Sequence, residues 1–562
     1  MSAAYDATGM KDHVYNHLAK TLEGYGTTCV FGMRVYPEMD RSRIRHINMH
    51  HESAGGLMAC GYARTSGRPG ILTLNRAGTG NVIMGLAEAF NSSLPIIVLQ
   101  DGLTVTLQGK NALYELDQIG LERPVTKWIG DVVDLSAAPA ELRKAFRIAT
   151  TGRPGPVVLN IRGVGSIFAP NQWVEAQVFS EPEYGTFPAQ RIQPDPAAIE
   201  RAVEVLKSAR KPCIVAGGGV SLARAWPELQ ELAELGQFPV ATTVVGKGAF
   251  PEKHPLSAGP TGRANSTGLG RGRIAEAIVK DSDVVLLVGT RTNELSTSGW
   301  TVPDPRSTIV HLDVDPGEIG RNYDTKAGIV ADAKAGLAAL TRALKAGSFQ
   351  PPEPRTEQIK KLLDEWWRDN EGPAASNVSP IHPGRLMHEV RQVMDGDTIL
   401  VSDASTPYIW ATSHTFVEAG PTFIAPRGTG AIGTGLPLAI GAKLGAPDKK
   451  VICFEGDGGL LTGILPELET AARYGIAVTV VVFNNGTLQL ERDHIKQYPN
   501  VDEFNLSPGI NFANLARELK CEGIRVEQPG DLAPALRQAL ASSKPTLVDV
   551  VLDPNEGFPS GH

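Results

Sequence analysis

Two short stretches carry residue types that could hold a charged cofactor. In "VVVFNNGTLQLER" the apolar run Val480, Val481, Val482 and Phe483 reads as a strand buried on both faces, and it stops at two amides, Asn484 and Asn485. In "FEGDGGLL" Asp457 ends another apolar run, between Gly456 and the pair Gly458 and Gly459. Glycines there let backbone N–H groups approach an anion, and a helix N-terminus adds positive potential for phosphate. A carboxylate beside such a cradle implies a divalent cation. Magnesium fits best, because it takes few protein ligands together with phosphate oxygens. The competing reading makes Asp457 a helix N-cap. Between the motifs lie the helical pattern "ILPELETAARYG" and the strand itself, which together make one crossover unit. Asp457 and Asn485 then share the C-terminal edge of a parallel sheet, where open α/β sheets bind ligands.

A third motif competes for attention. "GTGAIG", Gly428 to Gly433, matches the dinucleotide pattern GxGxxG, follows the strand-like "TFIAPR" and precedes the helical "LPLAIGAKLG", with Glu455 as a downstream acid. Pro437 interrupts the junction, and Glu455 runs straight into the second glycine turn, so nicotinamide binding is not expected. The glycines Gly217 to Gly219 also follow a strand, with the wrong spacing.

The elements that must position these residues fall into three α/β segments. Residues 1–185 alternate helical patterns ("DHVYNHLAKTLEGYG", "SAGGLMACGYARTSG") with the strands "TCVFG", "GILTLN", "PIIVLQ" and "GPVVLNI". After the proline-rich break "SEPEYGTFPAQRIQPDP", residues 190–348 carry "PCIVAGGG", "PVATT", "DVVLLVG" and "TIVHLDVDP". A second break, "KAGSFQPPEPRTEQ", precedes residues 375–562 with "TILVSDA", "VICFEGD", "VTVVVFNN" and "PTLVDVVLDP". The expected fold is therefore three α/β domains with central parallel sheets.

Bulk properties narrow the class. The 562-residue chain is too long for one core, and 42% apolar and 20% charged residues with a net charge of −7 describe an ordinary globular enzyme. Without basic tracts, nucleic acid and anionic membrane have no electrostatic foothold. Cys29, Cys60, Cys213, Cys453 and Cys521 are scattered, which speaks against disulfides or a zinc site and for a reducing cytoplasm. No apolar run reaches membrane-spanning length, and the first residues lack a signal-peptide core. The expectation is a cytoplasmic protein with a small-molecule substrate.

"GDG" followed by "NN" resembles the cofactor motif of thiamine diphosphate enzymes. Nearly the whole chain resembles the branch of acetolactate synthases, benzoylformate and oxalyl-CoA decarboxylases and 2-hydroxyacyl-CoA lyases. The likeness runs through "HHESAGGLMACGYARTSGRPG", "AGTGN" with "NSSLPIIV", and "GKGAFPEKHPLSAG". It implies a pyrimidine-binding first domain, a middle domain and a diphosphate-binding third. It implies Asp457, Asn485 and the carbonyl of Thr487 as magnesium ligands, and places the diphosphate on "SDAST" with Ser405 and Thr406, and on Gly456, Gly458 and Gly459. Gly430 would accept a hydrogen bond from the aminopyrimidine, and Ile432 would wedge the cofactor into its folded shape. Glu52 matches the catalytic glutamate that hydrogen-bonds the pyrimidine ring, and is expected to be buried. A homodimer is implied at minimum and a homotetramer is usual. ADP, acyl-CoA or FAD could occupy the middle domain.

The departures bear on the reaction. Tyr36 stands where benzoylformate decarboxylases carry a serine, and their histidine before "AGTGN" has no counterpart in "TLNRAGTGN", where Arg76 stands without an assigned role. Acetolactate synthases show a phenylalanine–glutamine pair where this chain has Leu113 and Tyr114, although "LERPVTKW" remains similar to them. "ALYELDQ" and the tail "LDPNEGFPSGH" resemble oxalyl-CoA decarboxylases, with Arg291 and Asp313 as candidate nucleotide or CoA contacts. Glu491, six residues beyond Asn485, lies where pyruvate decarboxylases place a catalytic glutamate. Tyr114, Gln118 and His494 are further pocket candidates, and one of His50 and His51 could face the site. These signals favour cleavage of a 2-hydroxyacyl-CoA into a carbonyl compound and formyl-CoA. The alternative is a 2-oxo acid decarboxylase or acetolactate synthase-type carboligase. Glu52, Asp457 and Asn485 stand intact, which speaks against a non-catalytic homologue.

Overall fold

The computed structural model describes residues 10–32, 43–163, 172–262, 268–495, 497 and 499–557. Three six-stranded parallel sheets run through them, as the alternating patterns lead one to expect. The first segment contributes β1 (Met10–His13), β2 (Cys29–Gly32), β3 (Arg45–Ile47), β4 (Gly70–Leu74), β5 (Ile96–Gly102), β6 (Trp128–Val132), β7 (Val157–Arg162) and β8 (Trp173–Ala176). Its sheet has the order β3-β2-β4-β5-β7-β6, and β1 pairs antiparallel with β8. The middle sheet consists of β9 (Pro212–Ala216), β10 (Val240–Thr242), β11 (Ser257–Pro260), β12 (Val284–Val288), β13 (Thr308–Asp313) and β14 (Thr325–Val330). Its order is β11-β10-β9-β12-β13-β14. The third sheet is built from β15 (Thr398–Ser402), β16 (Phe423–Ile424), β17 (Lys450–Gly456), β18 (Thr479–Asn484), β19 (Glu522–Val526) and β20 (Thr546–Val551), ordered β16-β15-β17-β18-β20-β19.

Counted from each sheet's own first strand, the first and third sheets share one order, although the sequence shows no repeat between them. The central strands β4, β5, β15 and β18 are buried along their whole length, because helices cover both faces of a parallel sheet. The strands the patterns missed lie mostly at sheet edges. β3, β6, β14 and β19 are only partly buried and carry mixed polar sequences, and β11 contains glycine and proline. The first proline-rich break is not a loose linker, since Phe187 is buried and its N–H donates to Gly67 O. The second leads into a helix, Thr356–Asp369.

The chain packs as two compact units. One holds the described residues up to Gln190 with Pro426–Asp448 and Gly463–Ile476; the other holds Arg191–Ala425, Lys449–Thr462 and the described residues from Ala477 on. Within the first unit, helices Glu52–Ser66 and Gly435–Gly445 meet backbone to backbone. A Cβ on Gly61 would lie 2.1 Å from Leu438 O, and one on Gly441 only 1.9 Å from Met58 O. No disulfide joins the five cysteines, all of them buried. Among the described residues no helix is long and apolar enough to cross a membrane.

In the second unit an ion cluster is sealed from water. Glu252 accepts from Lys247 Nζ (2.5 Å), Arg271 Nη2 (2.6 Å) and Val417 N (3.0 Å), while Lys247 also donates to Thr415 O (2.9 Å) and Arg271 lies over the Phe416 ring. Burial resists ionisation of Glu252, but the Arg271 and Lys247 charges outweigh it and hold the carboxyl below its ordinary range. The cluster ties the "GKGAFPE" turn to residues 415–417. Glu252→Ala would leave two buried cations unpaired, and should cost about 3–5 kcal/mol in urea unfolding.

Candidate cofactor and active site

The third sheet places the two opening motifs side by side. β15 and β17 are neighbours, yet the chain leaves β15 toward β16 on one flank and β17 toward β18 on the other. That is a topological switch point, where the loops diverge and leave a crevice at the strand ends. The "SDAST" turn follows β15, "GDGG" follows β17, and Asn485–Thr487 follows β18.

Each turn has an unusual feature. Ser405 adopts φ 70°, ψ −147°, a region that favours glycine, and it starts helix Thr406–His414 without a side-chain cap on the first N–H groups. Asp457, 3% exposed, does not serve as a simple N-cap. Its Oδ1 accepts Gly458 N (2.7 Å), and its Oδ2 reaches across to Gly486 N (2.6 Å) and Asn485 N (3.0 Å). Burial pushes this carboxyl up to about 6 despite those N–H donors. Asn485 Oδ1 accepts Thr487 N (3.3 Å), and its Nδ2 donates to Gln489 Oε1 (3.1 Å). Asn484 faces elsewhere, donating to Asp549 Oδ1 (2.8 Å) and Ile510 O (3.1 Å). The Asp457 carboxylate and the Asn485 amide oxygen at this edge are hard oxygen donors, the chemistry a hard divalent cation takes. Helix Gln489–Ile495 follows, with Glu491 and His494 exposed on it.

The pyrimidine-side candidates lie in the first unit. Glu52, 6% exposed, is the first residue of helix Glu52–Ser66. Asn81 Nδ2 donates to its Oε2 (2.9 Å), and a Cβ on Gly78 would sit 2.7 Å from its Cγ. His51 caps the helix, its Nδ1 accepting Ser53 N, while the His50 ring pairs with Glu469 (2.8 Å). Gly430 is exposed with φ 71°, and Ile432 is half-buried. Arg76 pairs with Asp101 (3.4 Å). Leu113 and Tyr114 stand on an exposed loop. Gln118 is buried, donating to Thr79 Oγ1 and Asp101 O, and lines a cavity of about 480 Å3 with Asn160 and Arg162. Tyr36 and the tail beyond Gly557 lie outside the described residues.

In the middle sheet Asp313 accepts Asp315 N (2.9 Å), the bond of a turn-forming aspartate, and Arg291 is half-buried just beyond β12. At that sheet's switch point the N–H groups of Gly217 and Gly219 are spent on Val288 O and Gly289 O. Sequence reasoning passed over Asn81, Glu88, Glu467 and Glu122. All sit on helical stretches, where acids and amides ordinarily face water. Glu122 is fully buried, bonded by Gln100 Nε2 (3.2 Å), and burial pushes it up to about 8.

This geometry agrees with the comparisons to known proteins. Residues 12–121 match the N-terminal thiamine pyrophosphate binding domain, 199–340 the central domain of thiamine pyrophosphate enzymes, and 403–550 their C-terminal thiamine pyrophosphate binding domain. The chain belongs to the thiamine pyrophosphate enzyme family. Among its relatives are a probable acetolactate synthase large subunit of Methanocaldococcus jannaschii, 33% identical over 96% of this chain and 92% of the relative, and one of Methanococcus aeolicus, 30% identical over 96% and 92%. An acetolactate synthase large subunit of Parasynechococcus marenigrum is 31% identical over 97% of this chain and 87% of its own length. The protein is therefore a thiamine diphosphate-dependent enzyme.

Two outcomes follow from Glu122 and Ser405. Because Glu122's folded value of about 8 exceeds its ordinary 4.5, its contribution is complete below pH 4.5 and is lost as pH rises through 8. Wild-type stability should fall across that window by on the order of 5 kcal/mol from this group, and Glu122→Gln should flatten the fall in urea titrations at several pH values. Ser405→Gly should stabilise the cofactor-free protein by about 1 kcal/mol through relief of backbone strain, read from the same titrations.

Proposed function

We propose that this enzyme is a magnesium- and thiamine diphosphate-dependent carboligase acting on 2-oxo acids, of the acetolactate synthase type. The observation that carries the cofactor assignment is the placement of Asp457, a carboxyl buried at the switch point whose Oδ2 reaches across to the Asn485 and Gly486 N–H groups. In this reading Asp457, Asn485 Oδ1 and the Thr487 carbonyl hold magnesium. Ser405, Thr406, Gly456 and Gly459 line the diphosphate with backbone N–H groups, and Gly458, whose own N–H is held by Asp457 Oδ1, lines it through its bare Cα. Gly430 and Ile432 orient the pyrimidine, and Glu52 holds a proton at the pyrimidine ring nitrogen. Thiamine diphosphate, when bound, supplies the carbanion-stabilising centre that lets a bond beside a carbonyl break or form.

The choice of 2-oxo acids over acyl-CoA substrates rests on the names of the relatives, which fit the carboligase alternative rather than 2-hydroxyacyl-CoA cleavage. The turn bond of Asp313 also supports a structural role there in place of an adenosine contact. Glu491 favours a second reading. On helix Gln489–Ile495 it would give a proton to the substrate carbon that has lost carbon dioxide, which ends the reaction at an aldehyde before a second acceptor is joined. Tyr114 and His494, both exposed, are proposed as substrate contacts. The family places the pyrimidine and diphosphate groups on different subunits, so the proposed working unit is a homodimer or a homotetramer.

The test supplies the magnesium- and thiamine diphosphate-loaded enzyme with pyruvate alone, with pyruvate plus a second 2-oxo acid, and with a 2-hydroxyacyl-CoA. Carbon dioxide with an acetohydroxy acid is expected. Carbon dioxide with free aldehyde would favour the second reading, and formyl-CoA would overturn both. A flavin band in the visible spectrum would reveal bound FAD. Glu52→Gln should lower kcat by at least about a hundredfold with cofactor binding retained. Asp457→Asn should abolish magnesium-dependent retention of the cofactor. Under the second reading, Glu491→Gln should bind cofactor normally and lose aldehyde release.

A further inference from the structure

Two buried carboxylates in the first unit repeat one arrangement. Helix Thr79–Asn91 follows β4, the third strand of the first sheet, and carries Glu88, 1% exposed. Glu88 Oε2 accepts Thr429 N (2.9 Å) and Thr429 Oγ1 (3.2 Å), while Oε1 accepts Gly428 N (3.2 Å) and Ser92 Oγ (2.6 Å). Helix Glu467–Arg473 follows β17, the third strand of the third sheet, and starts with the fully buried Glu467. Its Oε1 accepts both His50 N (3.1 Å) and His51 N (3.2 Å), and Oε2 accepts Thr470 Oγ1 (2.8 Å).

The segments they hold are equivalent too. Residues 48–51 lead from β3, the second strand of the first sheet, into helix Glu52–Ser66. Residues 425–434 lead from β16, the second strand of the third sheet, into helix Gly435–Gly445. A carboxylate from each sheet's third crossover thus grips the loop after the other sheet's second strand. Both grips are on backbone N–H groups, so they fix the course of the loop whatever its side chains. The Gly428 loop is also pressed onto its helix, since a Cβ there would lie 2.6 Å from Glu88 O. Burial pushes the Glu467 carboxyl up against the pull of its donors.

We propose that Glu88 and Glu467 are reciprocal positioning residues, Glu88 setting the backbone that leads to Gly430 and Ile432, and Glu467 the backbone that leads to Glu52. The inference rests on the reading that those three residues meet the pyrimidine. The two grips differ in what they tolerate. Both oxygens of Glu88 accept an N–H, so a glutamine would turn its NH2 against one of those donors. Glu467 accepts both N–H groups on one oxygen, and its other oxygen meets only a hydroxyl, which can also accept. Glutamine can therefore replace Glu467 but not Glu88.

The test combines amide hydrogen exchange with cofactor binding in magnesium-containing buffer. Glu88→Ala should speed exchange at residues 428–429 at least tenfold and leave 50–51 unchanged; Glu467→Ala should do the reverse. Each should weaken thiamine diphosphate at least tenfold, while affinity for inorganic pyrophosphate stays within twofold. Glu467→Gln should behave as wild type, and Glu88→Gln as the alanine variant, which keeps the comparison open if an alanine variant fails to fold. Unchanged exchange, or equal losses for pyrophosphate and cofactor, would overturn the proposal. Ile432→Ala and Glu52→Gln separate the two ideas. If Ile432→Ala binds and Glu52→Gln turns over as wild type, the pyrimidine reading fails and this inference falls with it. If both are impaired while the Glu88 and Glu467 variants bind cofactor as wild type, this inference alone is overturned.

Discussion

A carboxylate taken out of water must be given donors or a cation, and the way this chain meets that demand organises both of its units. Leaving such a group unpaired costs several kcal/mol. Glu252 is given two cations and a backbone N–H, which makes it a pin between the middle segment and residues 415–417. Glu88 and Glu467 are given backbone N–H groups from distant loops. Asp457 also receives backbone N–H groups, yet burial still holds it near 6. Glu88 and Glu467 spend their oxygens on holding loops, whereas Asp457 stands at the switch point beside Asn485.

The shared strand order of the first and third sheets explains how one chain presents two kinds of edge. The same succession of strand, loop and helix yields Glu52 at the start of one helix and the Gly430 loop ahead of its counterpart. The two helices meet through glycines, because a closer approach than side chains allow is needed where Gly61 and Gly441 face Leu438 and Met58. The middle sheet follows a different order, and its switch point is closed by the bonds of Gly217 and Gly219 to β12 and its following turn. Openness at a switch point is thus a property of the loops, not of strand order alone.

Residue types that look reactive in isolation divide sharply once their partners are known. His51 is a helix cap, His50 a surface hydrogen-bond partner of Glu469, Arg76 the partner of Asp101, and Asn484 a tie to Asp549. Glu491, Tyr114 and His494 remain exposed. Residues at the strand ends of the third sheet are the reverse case. Asp457 and Ser405 are fixed in costly states, one desolvated and one in a backbone region that disfavours side chains.

What the sequence by itself determined is the set of central strands and the glycine-flanked turns at their ends. A strand buried on both faces must be a continuous apolar run, and a turn that brings backbone to phosphate must be rich in glycine, so both are written locally. That was enough to place Asp457 and Asn485 at the ends of two parallel strands; the family resemblance added the "SDAST" turn and the choice of Asn485 over Asn484. Edge strands such as β3, β6, β14 and β19 escaped, because one open flank lets polar residues in and the pattern dissolves. The roles of Glu88 and Glu467 were decided only by tertiary structure. An acid on a helix reads as solvent-facing unless a loop some 340 residues away in the chain closes over it, and no local pattern records that encounter.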